Sequence, residues 1–423
     1  MLLLQLALIV AAVQLCALAG RRLGLPSVIG EMVAGLLLGP SLLGRLAPAL
    51  EHWLFPTNTL AGLQALGDLG LIFYLFALGA QLDVELAWRQ SGQVLLVSLA
   101  SMLLPFGSGI ALALLFWPRL AGPQATLLTF GLLLGTALAI TAFPVLARLL
   151  SECGWQQTPV GQAALLCAAV DDVLAWCLLA LTLALTHADG SLPMVALTLA
   201  STLLFSLAAF LLLRPALAWL ARREVAPPLL TVLSLLLLLL CSYLTGAIGV
   251  HPLFGAFVMG LCLPRRPVLL RLPLAVQEIN DLLLLPLYFV YSGLRTHLDL
   301  LGTGQLWLLG LLLLAVACAG KLLGGTLAAR WTGLSRTWRQ SLALGTLLNA
   351  RGLVELIVLN VGLDAGLLSP ALFSMGVLMA LATTVMACWL LPAMGVDGPR
   401  PAAFATLSQQ AVREGREPPG ADP

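Results

Sequence analysis

The chain has 423 residues, 60% of them hydrophobic and 9% charged, with a formal net charge of +2. No water-soluble domain hides that much apolar surface, so soluble-enzyme and nucleic-acid-binding readings are excluded and an all-α polytopic membrane protein is predicted. A spanning helix takes about 20 mostly apolar residues, so a dozen or so spans use up nearly the whole length.

Cutting at the polar, Gly- and Pro-rich breaks predicts thirteen spans, at about 2–20, 27–44, 60–82, 92–116, 124–150, 160–186, 191–213, 227–248, 250–264, 273–294, 305–330, 340–362 and 370–396. The opening run, MLLLQLALIVAAVQLCALAG, lacks a basic leader and runs directly into Arg21 and Arg22. It is expected to be a retained helix, not a cleaved signal peptide. Trp53, Trp88, Trp117 and Trp331 stand near span ends, where amphipathic rings sit at the bilayer interface. Eight cysteines run from Cys16 to Cys388 without a CxxC pair, which reads as small packed residues and no zinc or disulfide framework. His52, His187, His251 and His297 fall in or near connections, without metal-ligand spacing. The stretch from about 397 to 423 is poor in apolar residues and is expected to be a short, disordered cytoplasmic tail.

Arginine counted over alternate connections gives sixteen on one side and three (Arg45, Arg119 and Arg295) on the other, with Arg351 inside the twelfth span. Cytoplasmic loops collect basic residues. The expected topology therefore has the N-terminus outside and the C-terminus in the cytoplasm of a multi-pass protein of the cell membrane.

The sequence also repeats itself. GEMVAGLLL from Gly30 matches GAFVMGLCL from Gly255, FYLFALG ending at Gly79 matches LYFVYSG ending at Gly293, and LLLGTAL from Leu132 matches LALGTLL from Leu342. The order is kept, and each partner lies seven spans away. An odd separation means that the partners cross the bilayer in opposite directions, as in inverted-topology transporters. A transmembrane domain over 1–396 is expected, with a first repeat at about 1–186, a linker helix at about 191–213 and a second repeat at about 227–396.

Ionisable residues at membrane depth cost roughly 2.5 to 3.5 kcal/mol on insertion scales and mark ion pathways by default. Asp171 and Asp172 lie adjacent in LLCAAVDDVLAWCLLAL, near the middle of the sixth span. One buried carboxylate can serve a helix-packing hydrogen bond. Two neighbours, about 100° apart on a helix, need a cavity or a cationic partner. Among 21 basic residues the only lysine is Lys321, inside the eleventh span. A buried lysine can release its proton where arginine cannot; the alternative is that Lys321 snorkels to the interface near Arg330. In the twelfth span Asn349, Arg351, Gly352 and Glu355 cluster, and the spacing of Arg351 and Glu355 allows local neutralisation. At matched depth the fifth span holds Thr141 and Pro144. Proline and glycine loosen helices, so both spans are expected to be interrupted there, exposing backbone groups to an ion. Asp68 and Asp281 hold related places near span ends and read as interfacial, while Glu31 is a candidate for an access path.

GEMVAGLLLGPSLLG, FALGAQLD, AAVDDVLAW, SGLRTHLDL, GKLLGGTLAARWTGLS and NARGLVELIVLNVGL, in that order, resemble the monovalent cation:proton antiporter-2 family of the sodium/proton exchanger superfamily, on the branch with plant cation/proton exchangers and their bacterial relatives. The resemblance covers about 24–396. It implies about thirteen helices in an inverted-topology repeat with two broken crossing helices, a dimerisation domain and a moving core, in a homodimer. It implies that Asp172 alternately holds a monovalent cation, Na+ or K+, and a proton, that Asp171 and Lys321 form an ion pair opened by the cation, that Thr141 lines the site, and that Arg351 with Glu355 braces the second broken helix. The double Asp with Lys departs from the plant branch and is similar to electrogenic sodium/proton antiporters, and longer relatives carry a cytoplasmic domain beyond this region.

The expected function is secondary active cation/proton antiport by alternating access, without a cofactor and without enzymatic activity, with a cation, H+ and membrane lipid as partners. The alternatives are a cation channel, in which the acidic pair acts as a selectivity ring, and a sodium-coupled organic-anion carrier, in which Lys321 binds a substrate carboxylate.

Overall fold

The computed structural model describes residues 1–23, 25–81, 92–152, 154–156, 158–187, 192–223, 226–264, 269 and 271–394. Arg89, Arg265, Arg266 and the tail predicted at 397–423 lie outside the described residues. The rest is helical apart from one antiparallel bridge, Ala121 to Leu368. In chain order the helices are α1 (Leu2–Arg22), α2 (Ser27–Leu38), two short pieces at Leu43–Leu46 and Pro48–Leu54, α3 (Thr57–Gln81) and α4 (Gly92–Leu120). Then come α5 (Leu127–Ala139), α6 (Phe143–Glu152) and α7 (Pro159–His187). A linker, α8 (Leu192–Ala208), runs through a π turn into α9 (Arg214–Leu220), followed by α10 (Pro227–Ile248) and α11 (Pro252–Cys262). Last are α12 (Arg271–Ile279), joined by the π turn Asn280–Leu284 to α13 (Leu285–Leu294), then α14 (Gly304–Trp331), α15 (Trp338–Leu348), α16 (Leu353–Asp364) and α17 (Pro370–Ala393).

Among the described residues, ten helical stretches are long and apolar enough to cross a membrane, against thirteen predicted passages. The three that fall short are the fifth, ninth and tenth. The fifth is broken into α5 and α6, and the tenth carries a π turn. The ninth, α11, is only 11 residues long, about 16 Å at a helical rise where the hydrocarbon core is about 30 Å thick.

The two halves are built alike. Both broken helices open on a capping box, Thr126 with Thr129 at α5 and Thr337 with Gln340 at α15, which satisfies donors the first turn leaves orphaned. Gly35 of α2 meets Gly293 of α13, and its repeat counterpart Gly260 of α11 meets Gly79 of α3, the counterpart of Gly293. The exchange of partners is what a pseudo-two-fold axis requires. Likewise α4 touches α5 at Gly109 and Gly135 while α14 touches α15 at Gly325 and Gly345. These crossings are backbone to backbone, as small residues permit in membranes. A Cβ on Gly260 would overlap the Phe76 carbonyl and stand 3.0 Å from the Ala80 nitrogen. Gly260→Ala is therefore expected to destabilise by about 1–3 kcal/mol, read as a lowered thermal midpoint in detergent.

The π turn explains a one-residue slip in the repeat. Asp68 pairs with Asp281, but eleven residues on from Asp68 Gly79 pairs with Gly293, twelve on from Asp281; a π turn accommodates one extra residue in a helix. α1–α3 and α10–α13 pack as one group, and α4–α7 with α14–α17 as another. Of these ten, Trp338–Asp364 is the most deeply buried and Ala196–Leu220 the most exposed. Between the groups lies a cavity of about 370 Å³, walled by Tyr74 of α3, Gln277, Asn280 and Asp281 before α13, and Phe143 and Leu353, the first residues of α6 and α16. Glu31 is buried and does not line it.

Candidate functional site: two broken helices and a buried ion pair

The interruptions fall where the sequence places them. α5 ends at Ala139 with Ile140 extended, α6 starts at Phe143, α15 ends at Leu348 and α16 starts at Leu353. The breaks are stitched together. The Ala142 N–H donates to the Ala350 carbonyl at 3.1 Å, and Thr141 Oγ1 lies 2.9 Å from the Leu348 carbonyl. Pro144 is the second residue of α6, where a helix has no internal acceptor for the N–H it lacks. Gly352 meets the Val145 side chain.

α7 and α14 bring their charges to this junction. Lys321 Nζ donates to Asp171 Oδ2 at 2.9 Å and to Thr141 Oγ1 at 2.7 Å. All three side chains are fully buried, so the snorkelling alternative for Lys321 does not hold: its ammonium stays in the interior because a carboxylate and a hydroxyl receive it there. Thr141 Oγ1 is also 2.6 Å from Asp171 Oδ2, and Ser98 of α4 donates to Asp171 Oδ1. Asp171 is thus committed on both oxygens.

Asp172 differs. It is fully buried, yet neither carboxylate oxygen has a hydrogen-bond partner of normal geometry. The Phe143 N–H, at the start of α6, is the backbone group that acts on it, and a helix N-terminus favours negative charge. At the second break, Asn349 gives its amide to Cys318 Sγ at 3.5 Å and leaves Oδ1 without a donor. With both aspartates and Lys321 ionised, the three groups sum to one uncancelled negative charge.

Arg351 does more than pair along its own helix. Its guanidinium donates to the carbonyls of Ala137 at 2.6 Å and Leu138 at 2.5 Å, the last turn of α5, and stands 3.6 Å from Glu355 Oε1. A cation on the orphaned carbonyls of a helix C-terminus satisfies both hydrogen bonding and the dipole. Arg351 therefore fastens the second break to the first broken helix, with its own N–H given to Thr384 Oγ1 at 3.1 Å. Ser98 and Thr384 carry no mark in the sequence, because a hydroxyl in an apolar helix usually bonds the carbonyl four residues back, as Thr182 and Thr186 do here.

A family model described as sodium/hydrogen exchanger, transmembrane, matches residues 6–395. The chain belongs to this family. Its members are transporters, not enzymes. The chain is 40% identical over 398 residues to the Na(+)/H(+) antiporter NhaS4 of Synechocystis sp. (strain ATCC 27184 / PCC 6803 / Kazusa), covering 91% of this chain and 95% of that one. It is 39% identical to Cation/H(+) antiporter 18 of Arabidopsis thaliana and 33% identical to K(+)/H(+) antiporter 1 of Saccharomyces cerevisiae (strain ATCC 204508 / S288c), matching over 90% and 92% of its own length. It spans 47% and 46% of those two, about half of each. Among solved structures the sodium proton antiporter MjNhaP1 from Methanocaldococcus jannaschii superposes with a TM-score of 0.61, at 18% identity, over 92% of this chain and 95% of that one. That likeness establishes the antiporter fold.

Proposed function

We propose that the chain exchanges a monovalent cation, Na+ or K+, for protons by alternating access, with Asp172 as the carboxylate the two ions share in turn. The observation that carries this is the contrast between the neighbours: Asp171 has both oxygens engaged, while the equally buried Asp172 has both oxygens unpaired beside the meeting point of the two breaks. One proton or one monovalent cation neutralises the Asp172 carboxylate itself. With neither bound, an unpaired charge would have to cross the interior, which is costly, so only occupied states change face and exchange follows.

Lys321 is the second charge in the cycle. A cation on Asp172 weakens its hold on Asp171, so that the ammonium, buried and dependent on that one carboxylate, gives up its proton. Exchange is then expected to respond to membrane voltage in the wild type and to lose that response in Lys321→Gln, measured as transport current in proteoliposomes; a wild-type voltage response in the variant would remove the lysine from the cycle. The ammonium's engagement with Asp171 and Thr141 also weighs against the organic-anion carrier, which needs it for substrate. The cavity that reaches Phe143 and Leu353 is the access path, and the arginine distribution supports its opening to the cytoplasm. The same distribution supports an outside N-terminus in the cell membrane, and family resemblance supports a homodimer.

The test of the reading is ion-driven proton movement in vesicles with Na+, K+ and Li+ across a range of pH. Coupled movement supports antiport, whereas uncoupled cation leak would favour a channel and overturn it.

A further inference from the structure

One buried acceptor at the junction of the breaks has no donor. Asn349, the first residue past α15, is buried. Its Nδ2 donates to Cys318 Sγ at 3.5 Å, and Cys318 turns its own S–H toward Met386 Sδ at 3.9 Å. The sulfur therefore receives an N–H from the amide, which fixes the amide with Oδ1 at its other end, and that oxygen has no hydrogen-bond partner. Leaving a buried acceptor unpaired is expensive, and such groups are few in native structures.

Lys321 has the matching surplus. An ammonium carries three N–H groups, and Lys321 places two of them, one on Asp171 Oδ2 and one on Thr141 Oγ1. Residues 348 and 349 approach it from two sides. Thr141 Oγ1, which receives the ammonium, lies 2.9 Å from the Leu348 carbonyl. Cys318, which receives the Asn349 amide, stands three residues before Lys321 on α14. Residues three apart share a helix face, and a long side chain leans back over the turn before its own Cα, so the lysine stem runs toward the turn that carries Cys318. Among the described residues, the buried side-chain nitrogens without any partner are Arg351 Nε and Trp176 Nε1. The guanidinium is clamped by the Ala137 and Leu138 carbonyls, and the indole is a rigid ring on α7. The lysine stem is flexible. The nearby buried carboxylate, Glu355, already has Arg351 at 3.6 Å as its counter-charge.

We infer that the Asn349 side-chain oxygen is the seat to which Lys321 moves when a cation weakens its hold on Asp171, so that Asn349 sets how readily the ion pair opens. The inference rests on the antiport reading. Asn349 is a positioning residue: it acts through the lysine and touches no transported ion. While Lys321 is on Asp171 the oxygen is unsatisfied. Once the pair opens, it accepts an N–H from the lysine, as ammonium or as the amine left after proton loss, since both keep N–H groups. A bond biases two states only by its difference between them, and this one is made in the open state alone.

Lys321 is the only lysine in the chain, so lysine labelled with 15N at Nζ gives a single side-chain signal from the purified full chain. Solid-state NMR in liposomes, with 13C in the asparagine side chains, then reads the contact between Lys321 Nζ and Asn349 Cγ. We expect that contact in saturating Na+ or K+, its absence without either ion, and its loss in Asn349→Leu. In proteoliposomes the cation concentration for half-maximal exchange should rise about tenfold in Asn349→Leu, the scale of one hydrogen bond from a charged donor. Asn349→Asp, which offers the lysine an anionic oxygen, should lower it by a similar factor. The wild-type contact carries the test even if both variants fold poorly. Coupled exchange in the wild type with no such contact in either ion would overturn the seat alone, leaving Asn349 as a cation ligand or a brace of the break, and a contact equally present without cation would overturn it as well. A cation-dependent contact without coupled exchange would retain the seat and overturn the antiport reading instead.

Discussion

Asp172→Asn is expected to cut cation-driven proton movement by about a hundredfold or more, in a protein that unfolds at the same temperature as the wild type or slightly above it. The two halves of that result come from one fact. Neither oxygen of the buried carboxylate has a side-chain partner, and only the Phe143 N–H acts on it, so it contributes little to stability, and an amide of the same shape removes a desolvated charge while breaking no side-chain contact. For transport the same change is severe, because the asparagine cannot bind a proton at all and offers a cation a neutral oxygen in place of an anionic one. Removing one member of a desolvated charge pair costs about 3–5 kcal/mol, which is the hundredfold or more in binding. Flux in proteoliposomes and thermal unfolding in detergent measure the two sides. Wild-type coupled flux in the variant would end the assignment of Asp172, and a fall in thermal midpoint of many degrees would mean that the carboxylate has a structural partner.

Arg351→Met should be the most damaging single substitution for the fold. The side chain is 1% exposed and holds two carbonyls at the end of α5 together with the Glu355 carboxylate. Methionine fills much of the volume but leaves two C-terminal carbonyls without donors and a buried carboxylate without a counter-charge. The expected cost is about 3–5 kcal/mol. Adding Glu355→Gln should return part of it, since the stranded charge is then gone while the orphaned carbonyls remain; such neighbours are not additive. Tryptophan fluorescence through a thermal ramp gives the comparison. A loss below about 1 kcal/mol for Arg351→Met would show that the junction of the two breaks does not depend on the guanidinium.

Much of the site was readable because it violates local rules. Charged residues in apolar runs are expensive, so Asp171, Asp172, Lys321 and Arg351 stand out whatever surrounds them. Thr141 with Pro144 and Asn349 with Gly352 fall at or beside real interruptions in two helices for the same reason. The bonds from Arg295 to Asn360 and Asp364 went unread. Arg295 counts in the sequence as one basic residue in a sparsely basic connection, and Asn360 and Asp364 lie near a span end, where polar residues are ordinary. Asp68 and Asp281 looked alike as interfacial residues, yet one sits near Arg295 and Asp364 and the other walls the cavity.

What the sequence determined by itself is the part fixed by the solvent. Apolar runs, arginine placement and repeat motifs establish an all-helical membrane protein of two related halves, because a bilayer penalises every exposed backbone and charged group locally, residue by residue. Only the tertiary structure decided which buried groups are spent on each other. Spacing gives no sign that Lys321 chooses Asp171 and leaves Asp172 unpaired, or that Arg351 reaches across to α5 as well as along its own helix to Glu355, since those partners lie 150 and about 210 residues apart in sequence. Pairing across such distances depends on how the helices cross, and the crossing depends on backbone contacts at small residues that periodicity does not reveal.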